Sequence, residues 1–519
     1  MELYCDSRYI LLPASWNARQ KRLYFYDGDR LVLDLVAALD SDEPDFLFPV
    51  DLERFRGRTL RLTCEPEADI PLVKTDSPET DYRGKYRPWA HFTARRGWIN
   101  DPNGLVWYRD KYRMYFQHNP AATTWENMHW GAAESDDLIR WQELGDVLFP
   151  DEAGTIFSGS GIVDRRNVSG LKAGEEDPIL FFYTAAGGTS ETSKGSPFTQ
   201  NLAYSTDGGR TLTKWPGNPM IPELAPGNRD PKVIFYPPEN CYILALYLKD
   251  HDFALFRSED LLHWTELQRL TLPEDWECPD FYPLPADGDP ARLLWVFSAA
   301  SDRYLIGTFD GRSFTPQEGP GRLNYGDVSY AAQSWSDDPG GRRIRTAFIK
   351  QVVPGMPFGC CMDLPQEMRL NTVNGALRLC AWPAAEVESL YRSRNTLEDL
   401  TLDPAEPVKL PVGSKACDLE LEFSADAAVT LSLFGLELRF APESGLTCGE
   451  KNAPVRGEEG TVRLRLLFDT LSAEIFADSG SVFMGMGYIQ DRSLNTLRIT
   501  GNGVLRRLEL RELGRFWAE

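Results

Sequence analysis

Ser135-Asp-Asp-Leu-Ile-Arg-Trp141 recurs further along the chain as Ser258-Glu-Asp-Leu-Leu-His-Trp264. A looser copy spans Ser205–Trp215, and a degenerate one spans Thr308–Phe314. The copies begin 70, 53 and 50 residues apart, slightly more than the repeat of about 40–50 residues that is typical of β-propeller blades. Roughly 300 residues at about 60 per blade predict five blades over 86–385. Turns of this kind also occur in other β proteins, so the repeat favours a propeller without requiring one.

Two further β regions flank the repeat. In the first, Arg22–Tyr26 and Arg30–Leu35 are joined by Asp27-Gly28, a pair that predicts a tight hairpin turn. The polar segment 76–87 contains Pro and Gly and is a predicted linker. Beyond 385, alternating strands recur about every 10–12 residues, which is typical of a β-sandwich. We predict an all-β chain made of a small, sandwich-like N-terminal β module (1–85), a five-bladed β-propeller catalytic domain (86–385) and a C-terminal β-sandwich (386–519).

Composition and charge exclude several classes of function. The 519 residues include 55 basic and 77 acidic side chains, a net charge of −22, which repels phosphate backbones and anionic lipid. We therefore expect neither a nucleic-acid nor a membrane partner. The nine cysteines and five histidines show no metal-binding or disulfide spacing, so we expect no metal and no cofactor. The first residues carry no visible signal peptide, which predicts a cytoplasmic protein, or a secreted one if a leader has been removed.

Three acidic residues stand in unusual, turn-rich contexts within the predicted propeller. Asp101 lies in Trp98-Ile-Asn-Asp-Pro-Asn-Gly104, Asp230 in Arg229-Asp-Pro-Lys232 and Glu277 in Trp276-Glu-Cys-Pro-Asp280. Each is followed within two residues by Pro, which predicts a strand end or a loop. Strand ends near a propeller axis can converge, and burial would push the pKa values of the carboxylates apart, as acid–nucleophile chemistry requires. On local chemistry alone, ordinary Asp-Pro turns explain the pattern equally well.

A resemblance to a known family favours the catalytic interpretation over ordinary turns. The run His91-Phe-Thr-Ala-Arg-Arg-Gly-Trp-Ile-Asn-Asp-Pro-Asn-Gly-Leu105 resembles the signature of glycoside hydrolase family 32, the family of invertases, inulinases, levanases and other β-fructofuranosidases. Five further segments match family motifs in the family's order: Phe116-Gln-His-Asn-Pro120, Trp125–Gly131, Phe157-Ser-Gly-Ser160, Arg229-Asp-Pro-Lys232 and Glu277-Cys-Pro-Asp280. The resemblance implies a five-bladed propeller followed by a sandwich, in agreement with the repeat.

The resemblance also implies a role for each acidic residue. Asp101 would be the nucleophile, Glu277 the general acid and base, and Asp230, beside Arg229, the stabiliser of the transition state. Such a pair implies a retaining double displacement, with carboxyl groups roughly 5 Å apart rather than 6.5–9.5 Å. Five more residues match positions that line the family's fructose pocket: Asn100, Gln117, Trp125, Phe157 and Ser158.

By the same resemblance the chain is expected to be an exo-acting β-fructosidase. Its substrate would be sucrose, a fructo-oligosaccharide or a fructan such as inulin or levan, and the protein could form a homo-oligomer. Fructosyl transfer on the same scaffold is the alternative. A non-catalytic fructan-binding protein would be expected to lack one of the carboxylates, and all three are present.

Two segments depart from the family's pattern. Ala347-Phe348 stands where many members have Gly-Trp, and Val328-Ser329 replaces an acidic and aromatic pair before Tyr330. Neither change affects the three carboxylates. They put the substrate preference in doubt rather than the activity.

Overall fold

The computed structural model describes residues 1–78 and 82–517, so positions 79–81 of the predicted linker lie outside the described residues. The described chain is built almost wholly of β-strands. Its only helical segments are 3₁₀ turns, at Glu53–Phe55, Pro237–Glu239, Ala385–Leu390, Asp478–Gly480 and Arg492–Leu494. Within these described ranges, no helix has the length and apolar character needed to cross a membrane.

The central region forms five antiparallel four-stranded blades, as the repeat and the resemblance predicted. Their strands are Gly97–Tyr108, Lys111–Asn119, His129–Ser135 and Trp141–Leu148 in blade 1; Thr155–Val163, Ile179–Ala186, Phe198–Ser205 and Thr213–Lys214 in blade 2; Arg229–Tyr236, Cys241–Lys249, Asp252–Ser258 and Thr265–Thr271 in blade 3; Asp280–Pro285, Leu293–Ser298, Arg303–Phe309 and Phe314–Arg322 in blade 4; Ser329–Ser334, Ile344–Val352, Gln366–Val373 and Ala376–Pro383 in blade 5.

The sequence repeat marks the same turn in four of these blades, between the third and fourth strands. In blade 1, Asp137 accepts the backbone N–H groups of Ile139 (3.0 Å) and Arg140 (2.7 Å). The equivalent residues of blades 2, 3 and 4 also accept backbone N–H groups and are Asp207, Asp260 and Asp310. An aspartate that satisfies the turn backbone in this way explains why the motif recurs. Blade 5 uses Asn374-Gly375 instead, with both residues at positive φ.

A strand between the last two hairpins closes the ring. Phe358–Met362 pairs antiparallel with Ile344–Val352 of blade 5 and parallel with the start of blade 1, where Phe358 is opposite Gly97. The first strand of each blade packs against the first strand of the next, around the common axis. Side chains on these five first strands therefore face one shared centre.

Two smaller β structures complete the described chain. The N-terminal module has one sheet of Glu2–Tyr4, Thr59–Glu65, Lys21–Asp27 and Arg30–Ala37 and a second of Phe46–Asp51, Tyr9–Ala14 and Val73–Thr75. Its predicted hairpin is present, as Lys21–Asp27 pairs with Arg30–Ala37. The C-terminal sandwich has a sheet of Tyr391–Thr401, Val504–Leu513, Ala416–Ser424, Thr461–Phe468, Ser472–Ala477 and Val482–Gly487, packed on a sheet of Val408–Pro411, Thr496–Gly501, Val429–Leu433, Leu436–Ala441, Gly445–Cys448 and Lys451–Ala453. The boundaries at 85/86 and 385/386 stay predictions.

A buried ion cluster fixes the sandwich to the propeller. The His91 ring lies between Asp469 (Nδ1 to Oδ2, 2.9 Å) and Glu474 (Nε2 to Oε1, 2.7 Å). Burial opposes a charge on this ring, but the hydrogen bonds to both carboxylates raise the pKa of His91 to about 10. The histidine is thus a structural cation that holds two carboxylates of the sandwich against the first segment of the propeller.

Candidate active site

The first strand of four blades contains a β-bulge at the residues that face the axis. The register shifts between Ile99 and Pro102 in blade 1, between Ile156 and Gly159 in blade 2, between Arg229 and Lys232 in blade 3, and between Tyr330 and Gln333 in blade 5. A bulge leaves a residue unpaired and redirects its side chain. In blades 1, 2 and 3 the bulged segment carries a polar site residue, Asp101, Ser158 and Asp230 respectively, whereas in blade 5 it directly follows Tyr330.

The bulges also explain why the predicted strand end or loop at Asp101 was wrong. Asp101-Pro102 lies inside a twelve-residue strand, Gly97–Tyr108, not at a strand end or in a loop. A proline is tolerated there because the bulge removes the ladder hydrogen bond that it could not donate. Asp230 is the second residue of its strand and Glu277 precedes one, in agreement with the prediction. Both have positive φ, +66° and +44°, a backbone strain found often at functional sites.

Asp101 is held by hydrogen bonds from three neighbours. Its Oδ2 accepts from the Ser158 hydroxyl (2.5 Å) and the Cys278 thiol (3.3 Å), and its Oδ1 accepts from the Asn100 amide (2.9 Å). Burial and the nearby Glu277 raise the pKa of Asp101 above its ordinary value, while these three donors lower it. The carboxylate is therefore both oriented and partly stabilised in the ionised form.

Asp230 lies deeper and shares Cys278 with Asp101. Its Oδ2 accepts the backbone N–H of Cys278 (2.9 Å) and the Cys278 thiol (3.4 Å). Burial raises the pKa of Asp230 to about 7, with Arg229 acting against the rise and Glu277 and Asp101 adding to it. Burial also raises the pKa of the Cys278 thiol well above its ordinary value, so Cys278 stays neutral between the two aspartates and its single S–H can donate to either one.

Glu277 is held on both of its oxygens. Arg229 donates to Oε2 from Nη2 (2.6 Å) and Nε (3.1 Å), and the Tyr330 hydroxyl donates to Oε1 (2.6 Å). Arg229 also stacks on Tyr247, with 4.7 Å to the ring centroid, and its Nε lies 3.8 Å from Asp230 Oδ2. One guanidinium thus fixes the position of Glu277 relative to Asp230.

The remaining predicted pocket residues lie around this group. Gln117 stands on the neighbouring strand opposite the blade 1 bulge, between the partners of Ile99 and Pro102. It is buried, and its amide Nε2 has no hydrogen-bond partner among the described residues. Phe157 directly precedes Ser158 and contacts Trp125 edge to face, with 5.8 Å between ring centroids. Trp125 remains 48% exposed, so an apolar face is open to a ligand at the mouth of the pocket.

Besides Cys278, two residues beside Glu277 were not among the predicted site residues, one in contact with its carboxylate and one packed behind the first. Tyr330 donates to Glu277, and burial together with that carboxylate raises the pKa of Tyr330, so it remains a donor. Phe348 packs edge to face on Tyr330, at 6.1 Å between centroids. The sequence did signal this region, because Val328-Ser329 and Ala347-Phe348 depart from the family's pattern. Both departures from the family's pattern thus lie beside Tyr330, which orients the candidate acid Glu277.

The arrangement suits a displacement at a sugar carbon. Asp101 is a partly buried carboxylate with oriented oxygens, and Glu277 lies at the same axis with its two oxygens held by separate donors. Asp230 has no hydrogen bond on Oδ1 from the described residues, which leaves an acceptor for a ligand hydroxyl. Side chains of these types can attack, protonate and hold a polyol without a metal ligand set.

Comparison with known proteins identifies relatives along most of the chain. The model of the "Glycosyl hydrolases family 32 N-terminal domain" matches residues 91–383. A levanase of Bacillus subtilis (strain 168) is 32% identical, over 88% of this chain and 74% of its own length. Invertase 2 of Saccharomyces cerevisiae is 29% identical, over 77% of this chain and 74% of its own length.

Solved structures show the same architecture. An exo-inulinase from Aspergillus awamori superimposes with a TM-score of 0.76 at 22% identity, covering 84% of this chain and all of that one. A β-fructofuranosidase from Schwanniomyces occidentalis, complexed with fructosyl-erythritol, superimposes with a TM-score of 0.73 at 23% identity, over 83% of this chain and 98% of that one. These likenesses support the fold of propeller plus sandwich.

Proposed function

The chain belongs to glycoside hydrolase family 32, and we propose that it is a retaining exo-β-fructosidase. It is a glycoside hydrolase of the β-fructofuranosidase type. Its substrates are carbohydrates with a terminal β-D-fructofuranosyl residue, as sucrose, fructo-oligosaccharides and fructans have. The observation that carries the proposal is the convergence of Asp101, Asp230 and Glu277 at one axis, joined by Cys278 and Arg229.

In the first step, Asp101 attacks the anomeric carbon of the fructosyl residue. Glu277 gives its proton to the departing oxygen, so the glycosidic bond breaks as the bond to Asp101 forms. Ser158 and Asn100 orient the attacking carboxylate, and Tyr330 and Arg229 orient the acid. Asp230 accepts hydrogen bonds from fructose hydroxyls as positive charge develops on the ring.

In the second step, Glu277 takes a proton from water, which attacks the same carbon and releases Asp101. Two inversions return the β configuration, so the first product is β-fructofuranose before mutarotation. If a sugar hydroxyl replaces water at this step, the product is a transferred fructosyl unit. Hydrolysis is the reaction that the names of the relatives favour, since they are called levanase, invertase and exo-inulinase.

The position of the carboxylates in the fold supports release of single fructose units. The carboxylates lie where five blades meet, which favours a terminal residue over the middle of a polymer. A time course on sucrose, inulin and levan, with products separated by chromatography, tests this proposal and the linkage preference together. Free fructose from the first minutes supports exo-cleavage, whereas mixed oligosaccharides with little fructose refute it. The homo-oligomer stays a prediction, to be tested by light scattering.

A further inference from the structure

A narrow polar crevice lies at the seam between the N-terminal module and blade 2 of the propeller. Its lining includes Arg22, Asp34, Glu126, Thr155, Thr189 and Ser190. The space inside it, about 10 Å³, is that of one water molecule. A larger ligand would therefore rest across the mouth and direct single polar groups inwards.

Two short stretches of chain connect the lining of the crevice to the candidate active site. Glu126 directly follows Trp125, whose ring contacts Phe157. Thr155 precedes Ser158 by three residues on the first strand of blade 2. Three residues of strand span about 10 Å, which is further than one sugar ring extends. A ligand that fills the fructose pocket would have to be longer than a disaccharide to reach the crevice.

Glu126 lines this crevice with a carboxylate that has no protein partner among the described residues. It is half-buried, and no residue that the structure describes forms a hydrogen bond or ion pair with it. Burial raises the pKa of Glu126, with Arg22 acting against the rise. A partly desolvated carboxylate without a donor is destabilised, and ligand hydroxyls would remove that cost.

The other groups of the crevice complement this acceptor. Arg22 donates from Nη1 to Asp34 (2.6 Å), and its remaining N–H groups have no acceptor among the described residues. Thr189 and Ser190 also line the crevice, but their hydroxyls already bond to Ala186 and Ser193. Glu126 offers an acceptor, Arg22 offers donors, and the exposed indole of Trp125 directly precedes Glu126 in the chain. These groups suit the hydroxyls and the C–H face of a sugar.

The N-terminal side of the crevice is fixed firmly to the propeller. Asp34 accepts the backbone N–H (2.9 Å) and hydroxyl (2.7 Å) of Thr192. The amide of Asn127 exchanges two hydrogen bonds, both 2.8 Å, with the backbone of Val36. The crevice is thus preorganised, and ligand binding would not have to order it.

We propose that this crevice binds a distal sugar unit of a linear fructan, with Glu126 and Arg22 as the groups that recognise its hydroxyls. The N-terminal module then sets the chain-length preference of the enzyme, because it supplies one wall of a subsite that short substrates do not reach. This inference rests on the proposed function, since it requires a fructan chain that begins in the fructose pocket.

The test compares Glu126→Gln with the wild type. For each protein, kcat/KM is measured on the shortest substrate that the wild type cleaves and on a linear fructan of about five units from the same linkage series. We expect the ratio of long to short substrate to fall about tenfold in the variant, the effect of losing one hydrogen bond to a charged group. Glu152→Gln is the matched control, because Glu152 lies at the same seam but is exposed and pairs with Arg30 (3.3 Å).

The proposed subsite is refuted if Glu126→Gln leaves the ratio of kcat/KM on the long and the short substrate unchanged. A variant that lowers kcat/KM equally on both substrates counts as such a result. An equal fall in Glu152→Gln also overturns the subsite, since the effect would then come from surface charge. Thermal unfolding of both variants confirms that the fold is kept. The proposed function is judged separately, by whether the wild type releases fructose at all.

Discussion

Replacing Asp230 by Asn should stabilise the protein while abolishing most of its activity. Asp230 is fully buried near two other carboxylates, and its pKa is raised from 3.8 to about 7. Asn resembles the protonated acid in shape. Its carbonyl oxygen can keep the hydrogen bond from the Cys278 N–H, while its NH₂ group takes the place of Oδ1.

The size and sign of the stability change caused by Asp230→Asn follow from the linkage between proton binding and folding. A shift of about three pKa units at about 1.4 kcal/mol each makes the ionised form up to about 4 kcal/mol less favourable in the folded state. This destabilisation of the folded state is absent below pH 3.8, grows as the pH rises towards 7 and is complete above pH 7. The reason is that Asp230 loses its proton at a higher pH in the folded state than in the unfolded state. Asp230→Asn removes this penalty, so the advantage of the variant should grow over the same pH range.

Thermal unfolding of the wild type and variant at intervals from pH 4 to pH 8 measures the effect. We expect similar midpoints at pH 4 and a clearly higher midpoint for Asp230→Asn at pH 8. Asp29→Asn, at an exposed position of the N-terminal module, is the matched control and should give a small difference that does not depend on pH. The reasoning is refuted if Asp230→Asn is no more stable than the wild type at pH 8, or if its advantage is the same at every pH.

Four further outcomes are expected. Asp101→Asn and Glu277→Gln should each lower kcat by several orders of magnitude with the fold intact; near-native turnover of purified Asp101→Asn would contradict the nucleophile assignment. Tyr330→Phe should lower kcat/KM about tenfold through the lost hydrogen bond to Glu277, and an unchanged value would show that this bond does not matter. The pH–rate profile should be bell-shaped, with an acidic limb above that of an ordinary aspartate because the pKa of Asp101 is raised; a flat profile would argue against the pair. His91→Ala should cost about 3 kcal/mol or more by leaving two buried carboxylates unpaired, and a wild-type midpoint in thermal unfolding would contradict it.

Much of the propeller could be predicted from local sequence because the fold repeats a local interaction. Asp137 and its counterparts satisfy the backbone of one turn, so selection for that turn leaves a visible motif in four blades. Blade 5 makes its turn with Asn374-Gly375 at positive φ and leaves no such motif. Its existence followed only from the length of the region and from the family resemblance.

The contacts of the site were harder to predict than its residues. Asp101 and Glu277 stand in distinctive motifs, but the bulge around Asp101 depends on pairing with a second strand and has no marker of its own in the sequence. Tyr330 reaches Glu277 across 53 residues of sequence, from the blade that lacks the repeat. Such a contact is set by ring closure, which local propensity does not describe.

Ring closure also has a consequence for the order in which the enzyme becomes active. The strand that carries Asp101 is held on one side by Phe358–Met362, which leaves the ribosome long after it. During synthesis the strand that carries Asp101, the proposed nucleophile, keeps one edge unpaired until the first two strands of blade 5 have also been made. Non-local pairing of this kind is slow compared with hairpin formation. Hydrolytic activity therefore reports completion of the ring, and chains that end before Phe358 should be inactive and prone to associate through that open edge.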